Sequence, residues 1–373
     1  MTTNKQTAFL NELLQVADIV LNGSRSWDIQ LHNPNVVQAI LAKGSLGLGE
    51  TYMAGDWDSD DLAETICRIL RADLQSQIHS HGLWWHVIQA RWRNRQTPKR
   101  AWQVGRAHYD LNNDFYAAML DETMAYTCGY WAQADDLHSA QIAKLDLICR
   151  KLGLRPGQRV LDIGCGWGSF MRYAAEQYGV SCVGLTISEA QQQLGQDLCA
   201  GLPVEFRLQD YRDIDEPFDY VVSVGMFEHV GRHNYHTFMD VVQRCLQPNG
   251  LCLLHTIGTL ESNAPPDPWL DRYIFPNGEL PSLAQITQAA EGRFVVEDVH
   301  NFGADYDRTL CAWAERFEAD WPRFADQFHA SFYRMWRFYL LSCAGAFRAR
   351  KTQLWQLVLS PAGVVGGYRR VNV

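Results

Sequence analysis

The stretch of this chain best suited to chemistry is Asp162-Ile163-Gly164-Cys165-Gly166-Trp167-Gly168. Glycines let a backbone approach a ligand closely, and the start of a helix offers N–H groups with no partner of their own. The loop lies between a short apolar run, Arg159–Gly164, and a helically patterned segment, Ser169–Tyr178. An acid on a strand followed by GxGxG at the strand-to-helix turn describes a binding site for a small ligand. The spacing is not the GxGxxG of dinucleotide folds, nor that of a P-loop.

The surrounding pattern supplies the elements that such a loop needs. From about Lys144 apolar runs alternate with helical stretches. Strands are expected at Arg159–Gly164, Ser181–Ile187, Val204–Leu208, Asp219–Val224, Leu251–Ile257, Arg293–Val299 and Leu354–Leu359. Helices are expected at Ser169–Tyr178, Glu189–Ala200, Tyr235–Cys245 and, as one long region, from about Asp305 to Arg350. This alternation predicts an α/β fold with a doubly wound parallel sheet, whose ligands sit at the carboxyl ends of the strands. Residues 1–95 read as a smaller, mainly helical N-terminal domain, with Asp and Ser at 56–61 placed to start a helix. Residues 96–107, around Thr97-Pro98, read as a linker, and 108–373 as the domain that carries the loop.

With 373 residues, 47% of them hydrophobic and 20% charged, the chain is long enough for two domains and is neither disordered nor collagen-like. Its ten cysteines show no CxxC and no regular spacing, so no disulfide framework and no metal site are expected. The first 21 residues lack the zones of a signal peptide, and no apolar run approaches the roughly 18 residues of a membrane span. The net charge of −9 argues against nucleic acid as a partner. That figure conceals an asymmetry. Arg91, Arg93, Arg95, Lys99, Arg100 and Arg106 fall in a stretch without a carboxylate, as do Arg334, Arg337, Arg348, Arg350, Lys351, Arg369 and Arg370. Setting those thirteen aside leaves 20 basic against 42 acidic residues, a balance of −22.

The glycine loop in this setting resembles that of class I methyltransferases, which bind S-adenosylmethionine there in a Rossmann-like sheet. An acid usually ends the second strand of that family and holds the ribose; here Gly184-Leu185-Thr186 stands instead, followed by Ser188 and Gln191. The chain more closely resembles the cyclopropane-fatty-acyl-phospholipid synthases and the related mycolic acid cyclopropane synthases. The resemblance rests on ordered stretches: His108-Tyr109-Asp110-Leu111-Asn112-Asn113-Asp114-Phe115-Tyr116, Met124-Ala125-Tyr126-Thr127-Cys128-Gly129-Tyr130-Trp131, and the glycine loop. Gly184-Leu185-Thr186, Met226-Phe227-Glu228-His229-Val230-Gly231, His255-Thr256-Ile257-Gly258 and Ile274-Phe275-Pro276-Asn277-Gly278 continue it.

The resemblance implies transfer of a methylene from S-adenosylmethionine to the cis double bond of an unsaturated phospholipid acyl chain, closing a cyclopropane ring. It implies that Tyr126, Thr127 and Asp162 bind the cofactor, that Gly164, Gly166 and Gly168 cradle its methionine part, that Thr186 and Gln191 sit near the ribose, and Asp210 and Tyr211 near the adenine. Cys128, Glu228, His255, Tyr306 and the backbone N–H of Ile257 would hold a bicarbonate ion as base. Taken singly, Cys128 also reads as a small buried residue, His255 as a satisfied core histidine, Tyr211 as core, Tyr306 as a helix cap and His229 as structural. The same scaffold could methylate a lipid chain without closing a ring, or bind lipid without catalysis.

A lipid substrate implies contact with a bilayer. Leu83-Trp84-Trp85-His86-Val87-Ile88, followed by Arg91, Arg93 and Arg95, mixes interfacial aromatics with cations suited to anionic lipid. The C-terminal aromatics Trp336, Phe338, Tyr339 and Phe347 are expected to line an acyl tunnel. The expected location is cytoplasmic, peripheral to the inner membrane face, and the resemblance adds a homodimer.

Overall fold

A computed structural model describes residues 3–74 and 113–371. The expected linker at 96–107 and the aromatic, basic stretch 83–95 lie outside the described residues. The chain forms two compact units. One comprises residues 1–93 together with Pro265–Pro276 and Tyr306–Thr352; the other comprises Asn94–Ala264, Asn277–Asp305 and Gln353–Val373.

The first unit is mainly helical, with helices at Thr3–Val16, Asn35–Lys43, Ser45–Ala54, Leu62–Arg71 and Ala330–Arg348. A two-residue strand β1, Gln30–Leu31, pairs antiparallel with β2, Trp57–Asp58. The acidic turn does start a helix: the Asp61 carboxylate accepts the Glu64 backbone N–H at 2.9 Å. The long helical region expected from Asp305 divides into Asp305–Asp320 and Ala330–Arg348. Pro322 follows the first of these in a short 3-10 turn, where its ring suits a helix start but not a helix interior.

The charges of the last long helix are used internally. Arg334 donates to the Tyr52 and Trp57 carbonyls and to the Asp58 carboxylate, Arg337 to Glu318 and the Tyr52 hydroxyl, and Arg348 to Asp307 and Glu64. Its aromatics pack beside them: Phe338 meets Tyr52, Trp57 and Trp269, while Tyr339 meets Phe275 and Trp336. Much of the carboxylate-free C-terminal stretch is thus an ion-paired scaffold around buried rings.

The second unit is a doubly wound α/β sheet. Its strands are β3 Arg159–Ile163, β4 Ser181–Thr186, β5 Val204–Leu208, β6 Phe218–Val224, β7 Leu246–Thr259, β8 Val295–Asn301 and β9 Thr352–Ser360. They lie in the order β5-β4-β3-β6-β7-β9-β8. The pairs β3–β4, β4–β5, β3–β6 and β6–β7 are parallel, and β8–β9 is antiparallel. All seven expected strands form. Alternation along the strands builds two cores, one on each face. Leu161, Val221, Leu357 and Leu359 enter one cluster, whereas Val160, Val222 and Val358 enter the other. The helix Leu137–Leu152, just before β3, is held by a capping box between Asp136 and Ser139 and ends at Gly153 in the left-handed region. Strand order jumps at β3, whose neighbours β4 and β6 carry their connections to opposite sides, and this opens a crevice at the carboxyl end of β3.

Candidate active site

A cavity occupies that crevice. Tyr126, Thr127, Asp162, Gly164, Gly166, Thr186, Gln191, Asp210 and Tyr211 all line it, contributed by the segment before the sheet and by the ends of β3, β4 and β5. Gly168 is not among the lining residues; it caps the helix Ser169–Tyr178 at φ +84°, where a Cβ would lie 2.5 Å from the Phe206 ring. Gly166, at φ +55°, has no atom within 4 Å of where a Cβ would stand, so its missing side chain leaves open space for a ligand.

The walls are tightly fixed. Gly164 and Cys165 both donate their N–H groups to the Leu185 carbonyl at 3.0 Å, which pins the loop to β4. Trp167 hands its indole N–H to Asn113 and packs on Tyr116, which in turn meets the Tyr126 ring. Where an acid would end β4, the Thr186 hydroxyl donates to Gln191 Oε1 at 2.9 Å, Ser188 N–H donates to that hydroxyl, and Ser188 Oγ accepts the Gln191 N–H. A neutral, hydrogen-bonded trio therefore stands at the end of β4, with Thr186 and Gln191 on the cavity wall. Asp210 accepts the Arg212 N–H, and Tyr211 packs on Phe238 with the Arg212 guanidinium over its face. Asp162 is buried with Oδ1 unpartnered; burial pushes its carboxyl up to about 7, opposed by the charge of Lys144.

A second set of polar groups lies in the same unit but not on the cavity wall. Glu228, on the turn after β6, accepts the Ile257 N–H through Oε1 at 2.6 Å, while its Oε2 is buried with no hydrogen-bond partner among the described residues. Burial pushes this carboxyl up to about 7, with the Ile257 amide pulling the other way. His255, on β7 beside Val224, has Nδ1 3.2 Å from Gln356 Nε2 and no partner at Nε2. With the Gln356 amide nitrogen as donor, the neutral ring carries its proton on Nε2. Burial holds the ring far below the ordinary histidine range, so it stays uncharged. Cys128 is fully buried, its thiol 3.1 Å from the Gly129 carbonyl. Tyr306 belongs to the helical unit, stacked on Phe347 at 4.5 Å between ring centres.

Three groups escape the sequence reading. Gln356 orients His255 from β9, and a fully buried amide within an apolar strand was the signal. His229, which reads as structural, lines the cavity; burial pushes it down to about 4. Lys144, on the helix before β3, also lines the cavity, and nothing in its local sequence separates it from an ordinary surface lysine.

A Rossmann-like sheet of this order, with a glycine loop opening on the crevice, defines a class I S-adenosylmethionine-dependent methyltransferase. The chain belongs to the mycolic acid cyclopropane synthetase family, which matches residues 96–357. It is 54% identical over 360 residues to cyclopropane-fatty-acyl-phospholipid synthase of Escherichia coli (strain K12), covering 96% of this chain and 94% of that one. The structure of a cyclopropane synthase from Mycobacterium tuberculosis superposes with a TM-score of 0.66 at 34% identity, covering 71% of this chain and 99% of that chain. A mycolic acid cyclopropane synthase complexed with SAH and CTAB superposes with a TM-score of 0.65 at 35% identity, covering 69% and 97%. The protein is an S-adenosylmethionine-dependent methyltransferase. Among the described residues no helix is long and apolar enough to cross a membrane.

Proposed function

We propose that this methyltransferase adds a methylene across the cis double bond of unsaturated phospholipid acyl chains, with bicarbonate held as base. The likeness to the Escherichia coli synthase over nearly the whole chain supports the substrate class. The observation that carries the chemistry is a buried acceptor, Glu228 Oε2, and a buried donor, His255 Nε2, neither with a partner among the described residues. Such groups are rarely left unsatisfied unless a ligand completes them.

When bound, S-adenosylmethionine supplies an electrophilic methyl and bicarbonate a proton acceptor. Methyl transfer to an alkene carbon, with its sulfur–carbon bond broken, would release S-adenosylhomocysteine, and loss of a proton from the new methyl would leave the electrons of that C–H bond to close the ring. The chain's own residues then have three tasks. Tyr126, Thr127 and the glycine loop hold the donor in line. Apolar side chains around the reacting carbon must exclude the water that would trap a cation on the acyl chain. His255 offers its Nε2 proton to the anion, fixed in that tautomer by Gln356, while Glu228, poised near neutrality, accepts the hydroxyl proton of bicarbonate. The Ile257 N–H is already engaged by Glu228, so it orients that carboxyl rather than meeting the anion itself. Docking on anionic lipid is assigned to the 83–95 stretch, because Arg334, Arg337 and Arg348 are paired internally.

Incubation with S-adenosylmethionine and vesicles of unsaturated phospholipid, followed by mass analysis of the acyl chains, tests this reading. A gain of one CH₂ with loss of the alkene supports it. A gain with the alkene retained, or no gain, overturns it.

A further inference from the structure

Lys144 is a buried cation without an ion-pair partner among the described residues. It is 1% exposed, and among the described residues its ammonium makes one hydrogen bond, to Thr127 Oγ1 at 2.9 Å, and no ion pair. Asp121 and Asp162 act on it only through their fields. An ammonium has three donors, so two are unused. Burying a charge in this state is costly, and buried charges are as a rule paired. Burial lowers its affinity for the proton, to a value of about 8, which leaves it mostly charged at neutral pH.

The side chain forms part of the cavity wall together with Thr127, Asp162, Gly164 and Gly166. One turn earlier on the same helix face, Gln141 donates to the Thr127 carbonyl at 2.8 Å. This helix thus grips the Thr127 segment from behind and presents a positive charge at the glycine-loop end of the cavity. Asp162, whose Oδ1 has no hydrogen-bond partner among the described residues, supplies an acidic group on the same wall. A cation and an acidic group on one wall complement the zwitterion of an α-amino acid.

We propose that Lys144 receives the α-carboxylate of the methionine end of S-adenosylmethionine and, through Thr127, positions the segment that carries Tyr126 and Cys128. The inference rests on that cofactor occupying this cavity. The carboxylate is favoured over bicarbonate because Lys144 lines the cavity whereas Glu228 and His255 do not.

The test is calorimetric titration of wild type and Lys144→Met with two ligands. S-adenosylhomocysteine carries the amino-acid end; 5′-methylthioadenosine keeps the adenosine and the sulfur but lacks it. The expected result is a loss of tenfold or more in affinity for S-adenosylhomocysteine, unchanged affinity for 5′-methylthioadenosine, and recovery of most of the loss in Lys144→Arg. Equal losses for both ligands would reduce Lys144 to a structural role and overturn the proposal. Unchanged S-adenosylhomocysteine binding would overturn it too, and a raised bicarbonate requirement in that case would reassign the charge to the smaller anion. Should Lys144→Met fail to fold, Lys144→Gln, which keeps a hydrogen bond to Thr127 without the charge, gives the same comparison. A wild type that binds neither ligand would instead defeat the cofactor reading itself.

Discussion

Replacing Glu228 with Gln separates the energetic consequence of this buried carboxyl from its chemistry. Burial raises its proton affinity from an ordinary 4.5 to about 7. Because the folded value lies above the unfolded one, the stability linked to this group is fully present below 4.5 and is lost as pH rises through 7. A change of that size corresponds to about 3 kcal/mol between the two limits. Gln keeps an acceptor for the Ile257 N–H but cannot ionise. Any constant cost of its extra N–H groups, about 1–3 kcal/mol if they go unsatisfied, shifts the whole curve without changing its slope. Equilibrium urea denaturation from pH 5 to 8.5, followed by tryptophan fluorescence, should therefore show the variant gaining about 3 kcal/mol on wild type across that range. Asp162, raised to a similar value, is present in both proteins and cancels from the difference. In the vesicle assay turnover should fall by roughly 10²–10⁴, the usual contribution of a positioned acid or base. Affinity for S-adenosylhomocysteine should hold, because Glu228 does not line the cavity. Parallel stability curves would refute the buried-acid reasoning, and full turnover would refute the catalytic role.

Four further substitutions address other parts of the molecule. Gly166→Ala places a methyl in open cavity at φ +55°, so S-adenosylhomocysteine binding by calorimetry should weaken for a folding cost of only about 1–2 kcal/mol. Gly168→Ala, facing Phe206, should lower the urea midpoint further, because overpacking adds about 1–3 kcal/mol to the same backbone strain. Gln356→Leu removes the donor to His255 Nδ1; turnover should fall about tenfold with cofactor affinity unchanged, as expected for one lost orienting hydrogen bond. Arg334→Ala strips two carbonyls and Asp58 of their donor, and the loss should be about 2–3 kcal/mol in urea denaturation with vesicle binding intact. Loss of vesicle binding in that variant would show that this face meets lipid.

The alternation of apolar runs with helical stretches is enough to specify the second unit, because strand and helix periods are local properties that the chain carries everywhere. The seven strands and the glycine loop are legible for that reason, and so is the cofactor cavity, whose walls come from strand ends adjacent to recognisable motifs. Glu228 announces itself as an acid directly after a buried strand. Other features depend on partners far away in the chain. The stretch Arg334–Lys351 holds no carboxylate of its own, and only the fold brings Asp58, Glu64, Asp307 and Glu318 against it. The tautomer of His255 is set by Gln356, 101 residues later, and the availability of the Ile257 N–H by Glu228, 29 residues earlier. Lys144 is the extreme case: by itself a lysine on an amphipathic helix, it becomes a buried, unpaired charge only when the sheet closes over it. The sequence alone determined the fold, the loop and the kinds of groups available, since these follow from local pattern. The tertiary structure decided which of those groups are desolvated and which are left without a partner, because burial and pairing are properties of neighbours rather than of residues.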